Sequence, residues 1–137
     1  MTAPTGERDE LVIAGDEDVV RVRQVVRGFA LRAKLSLVDQ TKLVTAASEL
    51  ARNAVNYGGG GQAVVELVGN GRRVGVRARF ADDGPGISDV ELALTDGWTS
   101  GSGLGLGLSG ARRLVDEFEL ETEVGRGTAV TITKWAR

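Results

Sequence analysis

Glu49 and Asn53 stand four residues apart in a stretch of helical periodicity, so a carboxylate and a neutral amide share one polar face, one turn apart. Asp82 ends a β-type run and is followed at once by Gly84 and Gly86. Further on, glycine recurs between Gly101 and Gly110, just before a third amphipathic stretch, and Gly125-x-Gly127-Thr128 opens the last β-type run. A glycine-rich segment leading into a helix presents free backbone N–H groups and the positive end of a dipole, an arrangement that suits phosphate. Gly105 to Gly110 also fits G-x-G-x-x-G, but no strand directly precedes it and no strand–helix–strand unit surrounds it, so a dinucleotide fold does not follow. No Gly-Lys-Ser or Gly-Lys-Thr exists for a Walker A loop. Each cluster alone reads equally well as a turn or a solvent-facing polar residue. Their order along one short chain is the specific signal.

Composition removes several chemistries. The chain lacks both cysteine and histidine, which excludes disulfides, thiolate metal sites, thiol nucleophiles, Ser-His triads and any phosphate parked on an imidazole of this chain. Seventeen basic against nineteen acidic residues leave a net charge of -2, the wrong sign for a general nucleic-acid binder. No apolar run approaches the ~18 residues a membrane helix needs, and Met1 to Asp9 lacks a signal-peptide core, so a cytoplasmic protein with no membrane partner is expected. With 137 residues, 42% of them hydrophobic and 26% charged, one globular domain is expected. Its boundaries are drawn as a disordered tail over 1–9 and a single domain over 10–137. Glycine is the anomaly, at 20 residues roughly twice ordinary usage.

These residues need a scaffold, and the periodicity supplies one. Leu11-Val12-Ile13 reads as a first strand. Val19, Val22, Val26, Phe29 and Ala33 predict a helix to about Leu35, with Arg21, Arg23, Arg27 and Arg32 on its wet face. Ser36 and Asp39 form a capping-box pattern for a second helix to about Tyr57, whose apolar stripe is Leu43, Ala47, Leu50 and Ala54. Ala63–Val68 and Arg73–Ala81 read as a hairpin through Gly69-Asn70-Gly71. A short helix over Ile87–Leu94, a mobile lid over Asp89–Ser102 containing Trp98, and a helix from about Gly105 to Glu117 follow. Phe118–Thr122 and Thr128–Trp135 close the chain as two strands. The order predicts an α+β fold: a two-layer sandwich of a mixed, largely antiparallel sheet with helices on one face.

The ordered set resembles the Bergerat-fold (GHKL) superfamily of ATPases and kinases, which includes the ATP-binding domains of histidine kinases, Hsp90, type II topoisomerases and MutL. Glu49-Leu-Ala-Arg-Asn53 looks like its N box, Asp82-x-Gly84-x-Gly86 like its first glycine box, Gly103-Leu-Gly105-Leu like its second and Gly125-x-Gly127-Thr128 like its third. Ser48–Tyr57, Thr95–Trp98 and Gly110–Phe118 are similar, within that superfamily, to the small bacterial serine/threonine kinases of partner-switching modules, of the stressosome switch-kinase type.

That resemblance implies ATP and Mg²⁺ as cofactors and roles residue by residue. Asp82 accepts from the adenine amino group, Gly86 lets backbone close on the ring, and Gly84 of the same box is a further nucleotide contact. Asn53 gives Mg²⁺ a neutral oxygen. Glu49 orients or deprotonates the attacking hydroxyl. Gly103, Gly105 and Gly107 cradle phosphates, Thr128 supports the adenine site, and Arg52 and Asn56 are lesser nucleotide contacts. From Glu91 to Gly110 there is no Lys or Arg, so any cation for the γ-phosphate comes from Mg²⁺, Arg52 or the substrate. The implied activity is phosphorylation of serine or threonine on STAS-domain scaffold or antagonist proteins, with a serine phosphatase as the target activated on release. Two alternatives share the fold: an anti-sigma factor that sequesters a sigma factor, and a non-catalytic module gated by ATP.

Overall fold

In the computed structural model, residues 6–90, 94 and 107–137 are described. The element order is β1 (Arg8–Ile13), α1 (Asp16–Arg32), α2 (Leu37–Asn56), β2 (Gly61–Gly69), β3 (Val74–Asp82), α3 (Gly107–Leu114), β4 (Glu117–Glu123) and β5 (Gly127–Trp135).

Helix α1 starts where the sequence places acid. The Asp18 carboxylate accepts from Ala14 N at 2.8 Å and Gly15 N at 3.2 Å and pairs with Arg21. The hydrogen bond from Ala14 N does most to hold the Asp18 carboxyl below the usual carboxylate range; partial burial opposes it, and Gly15 N and Arg21 reinforce it. Val19, Val22, Val26, Phe29 and Ala33 are buried, while Arg21, Arg23, Arg27 and Arg32 are exposed, as the periodicity predicts. The helix ends before Leu35, at Arg32. Lys34 takes a left-handed conformation (φ 62), with Lys34 N donating to Leu31 O and Leu35 N to Ala30 O, a Schellman turn formed without glycine.

Ser36 Oγ accepts from Asp39 N at 3.1 Å and caps α2. The Asp39 carboxylate faces Lys134 Nζ at 3.6 Å, across from the Asp116 carboxylate at 3.5 Å on the same ammonium. Burial pushes the Asp116 carboxyl up, but the hydrogen bond from Trp135 N and the charges of Lys134 and Arg137 more than offset it, leaving it below its ordinary value. This cluster ties the last strand to the start of α2.

The five strands lie in the order β1-β2-β3-β5-β4, and each neighbouring pair is antiparallel. The mixed pairing that the sequence allows is not seen among the described strands. Asn70 Oδ1 accepts from Arg72 N and Arg73 N, fixing the β2–β3 turn. One sheet face carries Ala63, Val65, Leu67, Val76, Ala78, Phe80, Val130 and Ile132, all buried under the helices. Helix α2 packs between α1 and α3. The arrangement is the expected two-layer α+β sandwich.

Other boundaries also differ from the sequence reading. Strand β1 opens at Arg8, and Leu67 N donates to Glu7 O at 2.9 Å, so Arg8 and Asp9 belong to the sheet although the tail was drawn to residue 9. Edge pairing gives even a polar segment a place. Helix α3 stops at Leu114, ahead of Glu117, which already pairs with Thr133 on β5. The helix expected over Ile87–Leu94 does not form at Ile87–Asp89, where Ile87 N donates to Thr122 Oγ1 instead; a helical turn opens only at Val90, with Leu94 N donating to Val90 O at 3.0 Å, and residues 91–93 lie outside the described residues. Among the described residues no helix is long and apolar enough to cross a membrane.

Candidate functional site

A cleft of about 390 Å³ opens between α2 and the ends of β3 and β5. Its floor is apolar, from Leu50, Ala54, Phe80, Leu108 and Val130, and its polar groups are few: Asn53, Asp82, Ser88, Asp89 and Thr128. A concave apolar site with a few convergent polar groups is the form of a small-molecule site.

Asn53, Asp82 and Thr128 arrive on three different elements, and Ser88 and Asp89 on the segment after β3. Asn53 lies on α2, one turn beyond Glu49. Asp82 is the last residue of β3 and pairs with Thr128 near the start of β5. Opposite Asp82 on its other side is Gly61, which has no side chain to crowd it. Asp82 Oδ1 accepts from Gly84 N at 2.9 Å, so backbone orients the carboxylate and its second oxygen remains to be offered. A Cβ on Gly58 would overlap the Asp82 side chain, so the helix-stopping glycine also makes room for the carboxylate.

The loop after β3 is docked on the β4–β5 hairpin. Gly125 N donates to Pro85 O at 2.8 Å, and Ile87 N donates to Thr122 Oγ1 at 2.9 Å. Gly86 (φ +76) is pressed against Glu123 O and Gly127 (φ +111) against Asp82 O, conformations and spacings that exclude any side chain. Helix α3 is described from Gly107, and Gly107 and Leu108 at this end line the cleft wall, the end of a helix where the positive pole of its dipole lies.

The cleft lining thus includes Asn53, Asp82, Gly86, Gly107 and Thr128. Gly84 sits behind Asp82 as its hydrogen-bond donor. Glu49 and Arg52 are outside the lining and pair with each other, Glu49 Oε1 to Arg52 Nη1 at 3.0 Å. The Glu49 side chain is only 12% exposed, while that of Arg52 is 38% exposed. Asn56 is exposed on the last turn of α2 and is not a lining residue. Gly103, Gly105, Trp98 and most of the expected lid lie outside the described residues. The sequence reading missed Tyr57, Gly58 and Ile87 on the cleft wall and Thr122 behind it. Gly58 was visible as a helix stop, and Thr122 by its alternation with Phe118 and Leu120; neither signal points to a ligand.

Asn53 offers a neutral oxygen of the kind Mg²⁺ accepts alongside phosphate oxygens and water. Among the described residues there is no group of three or more His, Cys, Asp or Glu placed to hold a metal.

Comparison with known proteins agrees with the geometry. Residues 38–137 match the family described as histidine kinase-, DNA gyrase B-, and HSP90-like ATPase. The serine/threonine-protein kinase RsbT of Bacillus subtilis is 42% identical over 120 residues, which span 88% of this chain and 90% of that protein. An anti-sigma F factor of a Thermoanaerobacter species is 28% identical over 119 residues, 82% of each chain. A crystal structure of the RsbU and RsbW domains of a Mycobacterium tuberculosis protein shares the fold, with a TM-score of 0.66 at 24% identity. That match covers 96% of this chain and 33% of the larger one.

Proposed function

Because the chain belongs to the histidine kinase-, DNA gyrase B- and HSP90-like ATPase family and is related to its partner-switching kinases, we propose that the cleft binds ATP with Mg²⁺ and that the chain phosphorylates serine or threonine on a STAS-domain protein. The observation that carries this reading is the convergence of Asp82 and Thr128 at one end of the cleft with Asn53 and the start of α3 at its walls. That layout offers acceptors to a base, an amide oxygen to a metal and backbone N–H groups to phosphate. Residues 8 onward act as one kinase domain.

In this reading Asp82, oriented by Gly84 N, accepts from the adenine amino group. Asn53 would supply one oxygen to Mg²⁺, whose charge would offset that of the phosphates. Glu49, held by Arg52, takes the proton from the incoming hydroxyl as its oxygen attacks the γ-phosphorus and ADP leaves. Arg52 is the cation nearest this step among the described residues of α2, and the partner completes the rest. A serine phosphatase activated on release is the downstream target.

The test is incubation with Mg-ATP and a STAS-domain protein, followed by mass spectrometry. One added, acid-stable phosphoryl group on serine or threonine is expected; ATP binding without transfer leaves a nucleotide-gated module. The similarity to an anti-sigma F factor supports a second reading, in which a sigma factor is sequestered. Stable, nucleotide-dependent sigma binding in a pull-down would favour it.

A further inference from the structure

Antiparallel register sets Thr122, Thr128 and Asp82 side by side across β4, β5 and β3. Thr122 stands behind the cleft, and its hydroxyl has three polar neighbours: Ile87 N at 2.9 Å, Thr128 Oγ1 at 2.9 Å and Gly127 O at 3.2 Å. A hydroxyl has one proton and two lone pairs. Ile87 N–H can only donate, so it occupies one lone pair. Gly127 O can only accept, so the Thr122 proton points to it. The contact with Thr128 is then a hydrogen bond only if Thr128 donates its own proton into the remaining lone pair. Thr128 Oγ1 is left facing the cleft with lone pairs and no proton to give.

We propose that Thr122 is a positioning residue: it fixes Thr128 as an acceptor toward the cleft and pins the backbone at Ile87, so that this end of the site selects a purine bearing a 6-amino group. The selectivity half rests on the reading of the cleft as an ATP site. Asp82, whose Oδ1 already receives Gly84 N, can also only accept while ionised. Two acceptors in one cross-strand row complement a group with two N–H bonds. A 6-oxo purine presents lone pairs there, and a purine with hydrogen at that position presents no strong donor. The opposite wiring, with Thr122 donating to Thr128, would free the Thr128 proton and favour a ring nitrogen.

The variants are Thr122→Val, which keeps the shape and loses the hydroxyl; Thr122→Ser, which keeps the hydroxyl; Thr128→Val; and the double valine variant. Thr122→Ala replaces Thr122→Val should the latter not fold, folding being checked by thermal melting. Without nucleotide, amide exchange at Ile87 is followed by NMR. It should quicken about tenfold or more in Thr122→Val and stay near wild type in Thr122→Ser. Binding of Mg-ATP is then compared with that of the magnesium complex of purine riboside triphosphate, which lacks the amino group. Wild type should prefer ATP. Thr122→Val should lose roughly tenfold of that preference, Thr122→Ser should retain it, and the double variant should lose no more than Thr128→Val alone. Unchanged Ile87 exchange overturns the pin. Full preference in Thr122→Val, or losses that add in the double variant, overturn the orientation of Thr128. A wild type that binds neither nucleotide overturns the ATP reading and the selectivity with it, while Ile87 exchange still decides the pin.

Discussion

Replacing Asp82 by Asn tests the proposed adenine end of the cleft with almost no change in shape. The carboxylate has two acceptor oxygens: Oδ1 receives Gly84 N at 2.9 Å, and the other is offered to the ligand. An amide has one acceptor and one donor. If its oxygen stays on Gly84 N, its NH₂ opposes the adenine amino group; if it flips, the NH₂ opposes Gly84 N–H. No rotamer satisfies both. A part-buried polar group left unsatisfied costs about 1–3 kcal/mol, and a charged acceptor belongs in the upper half of that range. About 2 kcal/mol corresponds to roughly thirtyfold weaker binding. Asp83 is exposed and does not line the cleft, so Asp83→Asn is the matched control and should change affinity less than about twofold. Calorimetric titration with Mg-ATP gives both constants, and urea unfolding confirms that both variants fold. Equal losses in the two variants, or wild-type affinity in a folded Asp82→Asn, would refute the placement of the base at Asp82.

Glu49→Ala should leave ATP affinity within about twofold and slow phosphoryl transfer to a STAS-domain protein by about 10²-fold or more; transfer at the wild-type rate removes Glu49 as the base. Gly127→Ala forces a Cβ into Asp82 O at a positive φ and should lower stability by at least about 2 kcal/mol in urea unfolding, with an unchanged midpoint contradicting the packing at the hairpin. The lowered Asp116 carboxyl contributes stability that is complete above the ordinary carboxylate value, near pH 4, and is lost as pH falls through the lower folded value. Asp116→Asn should therefore be less stable than wild type at pH 7 and converge with it as acid titration passes below the lowered folded value; a gap that persists in acid would assign the loss to packing instead.

The fold was legible wherever a local signal decided it. Ser36 with Asp39, the four-and-three spacing of Leu43, Ala47, Leu50 and Ala54, and the Gly69-Asn70-Gly71 turn each specify their element within a few residues, and α2 and the β2–β3 hairpin stand as read. The end of α1 did not show, because Lys34 carries the left-handed residue of its Schellman turn where glycine or asparagine is the usual mark. Strand β1 was read short because Arg8-Asp9-Glu10 has neither apolar alternation nor β-branching. What seats it is β2, a partner far along the chain, and pairing energy of that kind leaves no trace in the segment itself.

The site divides the same way. Asn53, Asp82, Gly86 and Thr128, which line the cleft, could be picked out because their types suit a ligand and their order carries the resemblance; Glu49 was picked out on the same ground but lies outside the lining. Thr122 could not, since a threonine in a half-buried strand is ordinary in every local respect. Its significance comes from three things that only the sheet brings together: the loop after β3 folding back onto the β4–β5 hairpin, the register that aligns Thr122 with Thr128 and Asp82, and the resulting competition for a single hydroxyl proton. A one-residue slip of β4 against β5 would turn Thr122 to the opposite face, away from Thr128 and Ile87, while leaving the motif residues intact in the sequence. Motifs therefore mark the cleft, but the direction in which each hydroxyl points, and with it the proposed choice among purines, depends on strand register.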